Sequence, residues 1–181
     1  MAEQETFVMD GSIVYPYKWA VGKAAARFIS ELKNNRRFVA NRCPDCGKVT
    51  APPVDVCGGC FAEPGEDDWF EVGPGGTVRT FTVVHRRNPL SDLEPPYAIV
   101  SVRLDGADTD FLHVLKNPPA EGLEIGARME PVFPGDPPGN IMALDSFALS
   151  DSEPDESRPS AIGRFDAKPV YEVKGNLTVP Y

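Results

Sequence analysis

The sequence predicts a mainly β protein with an N-terminal helix, a small cysteine-rich ribbon, a barrel of about five strands and an extended C-terminal tail. Three observations support this prediction. One early segment has helical periodicity, four cysteines form two closely spaced pairs, and the residues after them divide into short strand-like segments. A chain of 181 residues is long enough for one medium domain or two small domains that share a core.

Residues 20–35 are predicted to form the helix. Ala24, Phe28 and Leu32 recur at four-residue spacing and build one apolar face. The opposite face carries four charged residues: Lys23, Arg27, Glu31 and Lys33. The Asn34-Asn35 pair is expected to end the helix.

The cysteines follow as C-P-D-C, ten intervening residues and C-G-G-C: Cys43, Cys46, Cys57 and Cys60. Zinc takes four thiolates in a tetrahedron with Zn–S distances of about 2.3 Å, and each C-x-x-C turn aims two sulfurs at one point. Gly47, with Gly58 or Gly59, can supply the positive φ of such turns. Because the protein fills all four positions, the pattern predicts one closed, structural zinc ion.

Two other interpretations of the cysteines stay open. They could be free or redox-active thiols, or they could hold iron, since four-cysteine sites also bind iron. The ten-residue separation is short for a rubredoxin. The first residues have no basic region followed by an apolar stretch, so no secretory signal is expected, and no apolar run approaches the roughly 20 residues that span a bilayer. We therefore expect a cytoplasmic protein, in which cysteines serve as metal ligands before they form disulfides.

Residues 68–148 are predicted to hold the barrel. Five segments rich in Val, Phe, Thr and Ile are separated by clusters of Gly, Pro, Asp or Asn. They are GGTVRTFTVVHRR, PPYAIVSVRL, DFLHVL, RMEPVFPG and NIMALDSFAL. About five strands suit a small barrel better than a sandwich, which needs seven or more.

Residues 149–181 are predicted to form an acidic linker and a docking tail. Four carboxylates lie in the six residues from Asp151 to Glu156, which is typical of a solvated linker. We expect 151–160 to be mobile and the partly apolar segment 168–181 to dock on a partner or on a second copy. The predicted divisions are then 1–40 for the N-terminal segment and helix, 41–67 for the ribbon, 68–148 for the barrel and 149–181 for the linker and tail.

The charge is unevenly spread along the chain. The net charge is −9, made of +3 over residues 1–50 and −12 over residues 51–181. The acidic body formed by residues 51–181 disfavours binding to nucleic acid, because such binding depends on neutralising phosphates with basic side chains. The basic N-terminal part could still serve a small anionic ligand.

The run N-R-C-P-D-C-G-K-V-T-A-P-P-V-D-V-C-G-G-C resembles the DUF35 family, acyl-CoA-associated proteins with a rubredoxin-like zinc ribbon and an OB-fold. The likeness continues through G-G-T-V-R-T-F-T-V-V-H-R, P-P-Y-A-I-V-S-V-R-L and I-G-A-R-M-E-P-V-F. Two features depart from the family. The run Gly73-Pro74-Gly75-Gly76 is one residue longer than its usual G-x-G, and the segment beyond residue 150 exceeds its minimal unit.

The resemblance implies a non-catalytic subunit rather than an enzyme. The implied partner is a thiolase-fold catalytic subunit in a hetero-oligomer that supports CoA or acyl-CoA binding and thiolytic cleavage of a 3-oxoacyl-CoA in degradative metabolism. The segment YPYKWAVG and the long tail look most like members that serve bulky or aromatic substrates, such as benzoylsuccinyl-CoA. Neither a nucleic acid nor a membrane is implied as a partner.

No catalytic residue is predicted. His85 and His113 alternate with apolar residues on predicted strands and are interpreted as structural. Guanidinium groups pair bidentately with phosphate oxygens, so two arginine pairs are candidates to hold the phosphates of CoA. They are Arg36, Arg37, Arg86 and Arg87. Their alternative role is to solubilise the surface or to pair with the acidic body. The second function class is a nucleic-acid binder, because zinc ribbons and OB-folds both serve that role.

Overall fold

A computed structural model describes residues 12–89, 91–119, 121, 123–155 and 172–180. Within these ranges the chain forms one α-helix and ten strands. In chain order they are β1 (Ser12–Ala20), α1 (Lys23–Asn35), β2 (Phe38–Arg42), β3 (Val49–Thr50), β4 (Trp69–Val72), β5 (Gly76–Val84), β6 (Tyr97–Leu104), β7 (Asp110–Lys116), β8 (Arg128–Val132), β9 (Ser146–Ser150) and β10 (Glu172–Pro180). The predicted class, mainly β with one N-terminal helix, is confirmed.

The five strands predicted after the ribbon close into a barrel in the order β5-β6-β7-β9-β8. Neighbouring strands are antiparallel except β7 and β9, which are parallel. Side chains alternate across each strand, so Val100 and Val102 of β6 are fully buried inside the barrel. A bulge between Val78 and Thr80 interrupts the pairing of β5 with β6. Bulges of this kind bend a strand, which helps a short sheet to close.

Helix α1 begins three residues later than predicted and ends at Asn35, where the Asn pair was expected to end it. Ala24, Phe28 and Leu32 are buried, as their spacing predicts. The helix has no capping side chain of its own at Gly22. Instead Asp55, from the ribbon, accepts a hydrogen bond of 3.1 Å from the Ala24 amide. A side chain distant in sequence therefore supplies the cap that the first turn requires.

Two charged residues of α1 differ from the prediction, since Arg27 and Glu31 are buried rather than on a solvent face. The Arg27 guanidinium lies 4.3 Å from the centre of the Trp69 ring and 3.5 Å from the Glu66 carboxylate. Glu31 accepts a hydrogen bond of 2.7 Å from Arg37. These residues are buried because of a tertiary contact, in which the segment that leads into β4 covers this side of the helix. The Arg27 and Glu31 side chains each lie beside a side chain of opposite charge.

The ribbon has its own three-stranded sheet, in the order β3-β2-β4. The predicted boundary placed Trp69–Val72 in the barrel, but this strand pairs with β2, from Phe38 opposite Val72 to Asn41 opposite Trp69. This strand therefore links the ribbon sheet to the barrel, whose first strand begins at Gly76. At the other end, β9 carries the barrel to Ser150.

Helix, ribbon and barrel share one hydrophobic core. Phe38 of β2 lies at its centre. Its ring is 6.5 Å from Phe28 of the helix, 5.7 Å from Phe111 of β7 and 6.2 Å from Phe147 of β9, measured between ring centroids. The Phe38 and Phe147 rings are nearly parallel, whereas the Phe38–Phe111 pair is edge-to-face. These contacts join the three parts into one packed unit.

The glycine run at the ribbon–barrel junction permits a close backbone approach. A Cβ on Gly76 would lie 2.6 Å from Val102 and 2.7 Å from the Arg103 carbonyl, so no larger residue fits without a shift. Asp105 closes the junction, because its amide donates to the Gly75 carbonyl at 3.0 Å and its own carbonyl accepts from Gly73 at 2.9 Å. The longer run noted in the sequence is accommodated by this turn.

Part of the acidic linker is held against the barrel by a largely buried ion pair. Arg128 donates two hydrogen bonds to Asp105, of 2.8 and 2.6 Å. The same guanidinium donates to the Ser152 carbonyl at 3.1 Å, and the Asp155 amide donates to Asp105 at 3.2 Å. The linker was expected to be mobile from residue 151, but within residues 151–155 these hydrogen bonds connect the linker to Arg128 and Asp105. Residues 156–160 lie outside the described residues.

The described part of the predicted docking tail is strand β10. It pairs antiparallel with β1 over nine residues, from Ser12 opposite Pro180 to Ala20 opposite Glu172. The tail thus meets the N-terminal segment of its own chain, a pairing that the sequence did not predict. The rest of the predicted arm, residues 168–171 and 181, lies outside the described residues.

Candidate metal centre

The four cysteines meet at one point between the two C-x-x-C turns. Their sulfur atoms all lie within 4.8 Å of one another, and all four are free thiols. The Cys43–Cys60 sulfurs are 3.2 Å apart and the Cys46–Cys57 sulfurs 3.7 Å apart. A tetrahedron with Zn–S bonds of about 2.3 Å has S–S edges of about 3.8 Å, so a small contraction or expansion of this cluster accommodates one zinc ion.

The two turns have the same backbone hydrogen bonds. The Cys43 amide donates to the Lys48 carbonyl at 2.9 Å, and the Cys57 amide donates to the Ala62 carbonyl at 2.8 Å. In each turn the residue after the second cysteine donates back to the first cysteine's carbonyl, Gly47 at 2.9 Å and Phe61 at 3.0 Å. This internal symmetry is the reason that two short motifs aim four sulfurs inward.

One expectation about these turns is corrected. Gly47 has a φ of +73°, as predicted, but in the second turn neither Gly58 nor Gly59 takes the left-handed conformation. Phe61 takes it instead, with a φ of +63°. The symmetry explains the difference, because the position equivalent to Gly47 is the residue after the second cysteine of the pair.

Backbone amides around the cluster favour thiolates. The Cys46 amide lies 3.5 Å from the Cys43 sulfur and is the largest influence that lowers the pKa of Cys43. The amides of Gly59 and Cys60 lower the pKa of Cys57 to about 6. In Cys60 the Ala62 amide acts in the same direction, but neighbouring thiols and desolvation outweigh it and raise its pKa to about 12. A dication at the centre would remove this conflict, because metal binding releases the thiol protons.

The ribbon is joined to the barrel side by a short row of hydrogen bonds, called here the polar seam. Val49 of β3 and Asp108 exchange two hydrogen bonds of 2.8 Å, one through the Asp108 side chain and one through its amide. The Thr109 hydroxyl both accepts from the Ala51 amide at 2.8 Å and donates to the Ala51 carbonyl at 2.9 Å. Sequence reasoning missed this seam. The only signal was the D-T-D run after Gly106, since Asp and Thr side chains often bond to backbone groups.

Asn41 is a second positioning residue that sequence reasoning missed. It is almost fully buried in β2. Its side-chain amide donates to the Val54 carbonyl at 2.6 Å and its oxygen accepts from the Val54 amide at 3.3 Å. This pair of bonds fixes the loop that separates the two cysteine pairs.

The four candidate arginines lie in two separate loops. Arg36 and Arg37 follow the C-terminus of α1, and Arg86 and Arg87 follow β5. Arg37 donates to two carboxylates, Glu31 at 2.7 Å and Glu71 at 3.1 Å, and the hydrogen bond that it donates to Glu31 is the main cause that raises the pKa of Arg37. The other three are exposed or nearly so. Their assignment to CoA stays a prediction.

The histidines differ in environment. His113 is buried in β7, where its Nε2 lies 2.9 Å from the Leu144 carbonyl and its Nδ1 accepts from the Val114 amide at 2.8 Å. Both ring nitrogens are therefore used by the neutral tautomer, and burial is the main cause that lowers the pKa of His113. This environment agrees with the structural role predicted for it. His85 is exposed just after β5 ends, rather than on the strand as expected.

Comparisons with known proteins agree with this architecture. The family model described as the ChsH2 rubredoxin-like zinc ribbon domain matches residues 31–64. The model described as the ChsH2 C-terminal OB-fold domain matches residues 69–134. With the four clustered cysteines, the ribbon match supports a structural zinc ion. No helix in the described ranges has the length and hydropathy of a membrane-spanning helix.

Three individual proteins show the likeness. A DUF35 domain-containing scaffold protein from Methanocaldococcus jannaschii is 26% identical over 111 residues, which cover 61% of this chain and 77% of that protein. A chain of the Ltp2-ChsH2(DUF35) aldolase is 25% identical with a TM-score of 0.53, over 67% of this chain and 91% of that one. A DUF35 protein of unknown function from Sulfolobus solfataricus shares the fold, with 21% identity and a TM-score of 0.50 over 62% and 77% of the two chains.

Proposed function

The chain belongs to the DUF35 family, whose members join a rubredoxin-like zinc ribbon to an OB-fold, and on this premise we propose that it is the non-catalytic, zinc-binding subunit of a thiolase-type complex. In this role it supports CoA or acyl-CoA binding while a thiolase-fold partner cleaves a carbon–carbon bond of a 3-oxoacyl-CoA. The proposal extends to bulky or aromatic substrates, such as benzoylsuccinyl-CoA.

The observation that supports an accessory role beside a catalytic subunit is the match to a chain of the Ltp2-ChsH2(DUF35) aldolase, which spans 91% of that chain. The name of that structure pairs a DUF35 protein with a second protein in an enzyme that cleaves or forms carbon–carbon bonds. The name of the Methanocaldococcus jannaschii relative, a scaffold protein, is consistent with a supporting role. A metal centre whose four ligands are all cysteines also leaves no open position at which a substrate could bind.

Three arginines are the proposed contacts to CoA. Arg87 pairs with Glu94 at 3.4 Å, and their side chains are 72% and 73% exposed. An exposed pair of this kind contributes little stability, so a phosphate could displace the carboxylate at small cost. Arg86 lies beside it in the sequence, and Arg36 donates to the Gly135 carbonyl at 3.3 Å. Arg37 would have to leave Glu31 and Glu71 to bind a phosphate, so it is the weakest of the four candidates.

The proposal is tested by reconstitution. The purified chain alone is expected to cleave no 3-oxoacyl-CoA, and the complex with its thiolase-fold subunit is expected to do so in the presence of CoA. The double variant Arg86→Gln/Arg87→Gln should raise the KM for CoA about tenfold with little change in kcat, because it removes ground-state contacts to phosphate. Thiolysis by the isolated chain, or failure to associate with any thiolase-fold subunit, would contradict the proposed function.

An aldolase partner is the second candidate, and the name of the similar structure favours it. The two reactions differ in their use of CoA. Thiolysis consumes one CoA thiol for each bond broken and yields two acyl-CoA molecules. A retro-aldol cleavage acts on a 3-hydroxyacyl-CoA instead, consumes no CoA and yields one carbonyl compound and one acyl-CoA. Measuring bond cleavage by the complex with and without free CoA therefore decides between the two partners.

A further inference from the structure

The two cysteine turns are matched in backbone geometry but not in sequence. The position after the second cysteine is left-handed in both, with a φ of +73° at Gly47 and +63° at Phe61. Glycine adopts this conformation freely, whereas a residue with a Cβ meets steric hindrance there. A bulky residue in this region is an outlier that calls for an explanation. The first turn thus shows which residue this backbone favours, and the second turn departs from it.

The Phe61 side chain gains little from its own chain in return. It is 79% exposed, the highest value among the large apolar side chains of the described residues. Val56, five residues earlier in the same loop region, is exposed too. A large aromatic ring held in water by a strained backbone is a feature that folding alone does not favour. Exposed aromatic rings of this kind are typical anchors of protein–protein interfaces.

The surroundings of Phe61 restrict what can bind it. Residues 55–68 hold five carboxylates and no Lys, Arg or His. Four of these carboxylates are exposed: Asp55, Glu63, Glu66 and Asp67. Asp55 caps α1 and Glu66 pairs with Arg27, and the surface stays acidic through Glu63 and Asp67. A second copy of this chain would bring the same acidic surface against itself, because a twofold interface pairs each patch with its own equivalent. An anionic membrane or a nucleic acid would be repelled in the same way.

We propose that Phe61 anchors this subunit to the catalytic subunit, where the ring enters an apolar socket rimmed by lysine or arginine side chains. The inference rests on the proposed function and specifies the surface through which the complex forms. Apolar burial of the ring supplies affinity, and the acidic residues around it supply orientation and association rate. The strained backbone at Phe61 presents the ring outward in a fixed position before binding, which lowers the entropy lost on association.

The decisive variant is Phe61→Gly, because strain and binding predict opposite changes. Glycine relieves the left-handed strain, so the isolated chain should keep its zinc and its melting temperature should rise by about 2–4 °C. Binding to the thiolase-fold subunit purified from the wild-type complex should weaken at least about tenfold. The matched control is Ile125→Ser, which removes a side chain that is 69% exposed on the barrel, and its affinity should equal that of the wild-type chain.

The proposed basic rim of the partner's socket is tested by reversing one acidic charge on this chain. Glu63→Lys should slow association several-fold, with a smaller effect at high salt, because steering charges act mainly on the association rate. The interface would be overturned if Phe61→Gly bound with wild-type affinity or melted at a lower temperature than the wild-type chain. It would also be overturned if Ile125→Ser lost as much affinity as Phe61→Gly, or if Glu63→Lys associated at the wild-type rate. These results leave the proposed function intact. A wild-type chain that binds no thiolase-fold subunit would overturn the proposed function and the interface together.

Discussion

Truncating Phe38 to alanine is expected to destabilise the helix, the ribbon and the barrel together. The ring is 1% exposed and lies at the point where the three parts meet, within 6.5 Å of Phe28, Phe111, Phe133 and Phe147. Removing a buried phenyl ring typically costs about 3–5 kcal/mol, since both burial and packing are lost. Because a domain of this size is stable by only about 5–15 kcal/mol, Phe38→Ala should lower the melting temperature by roughly 6–20 °C.

The assay is urea unfolding of the zinc-loaded protein, followed in parallel by far-UV circular dichroism and by the reactivity of the cysteine thiols. A shared core predicts that both signals change at the same urea concentration, in the wild-type chain and in Phe38→Ala. Phe61→Ala is the control, because it removes the same ring from an exposed position and should change stability by less than about 0.5 kcal/mol. Thiols that react while the barrel signal is still native would refute the single core.

Four further outcomes are expected. Elemental analysis should find about one zinc per chain, and Cys57→Ser should lose it; a folded, metal-free or iron-containing wild-type chain would contradict this. Because the pKa of His113 is below its unfolded value of 6.5, the unfolded chain binds more protons beneath that pH, so stability should fall as pH drops below about 6.5, and less so in His113→Gln. Asp105→Asn should cost about 3–5 kcal/mol because it leaves Arg128 nearly buried without its carboxylate, and a cost similar to that of a surface change would show that the pair is solvated. Deleting residues 165–181 should leave the ribbon and barrel folded and weaken the complex in gel filtration; unfolding would place the tail in the core, and unchanged co-elution would exclude it from the interface.

Local chemistry allowed most of the architecture to be predicted. The five barrel strands could be located because Gly, Pro, Asp and Asn clusters separate their apolar runs, and the C-x-x-C pairs identified the metal cluster. The helix was located by its apolar spacing, but the burial of Arg27 could not be predicted. The Arg27 side chain is covered by Trp69, which lies more than forty residues later in the sequence. Helical periodicity carries no information about such distant partners.

Other misses have the same origin in long-range pairing. Trp69–Val72 resembles the barrel strands in composition, and its pairing with β2 could not be predicted from the local sequence. The pairing of β10 with β1 joins opposite ends of the chain, which no local pattern specifies. The left-handed residue of the second cysteine turn was expected to be a glycine on chemical grounds. The structure assigns it to Phe61 because position in the turn, and not residue preference, determines the backbone there.

The pairing of β1 with β10 has a practical consequence for protein engineering. Ser12 lies opposite Pro180, so the two ends of this ribbon are separated by about one strand spacing, roughly 5 Å. A short glycine linker could therefore connect residue 180 to residue 12, and new termini could be opened in a surface loop elsewhere. Circular permutants of this kind are expected to retain every strand pairing while the new chain ends lie in a different surface loop.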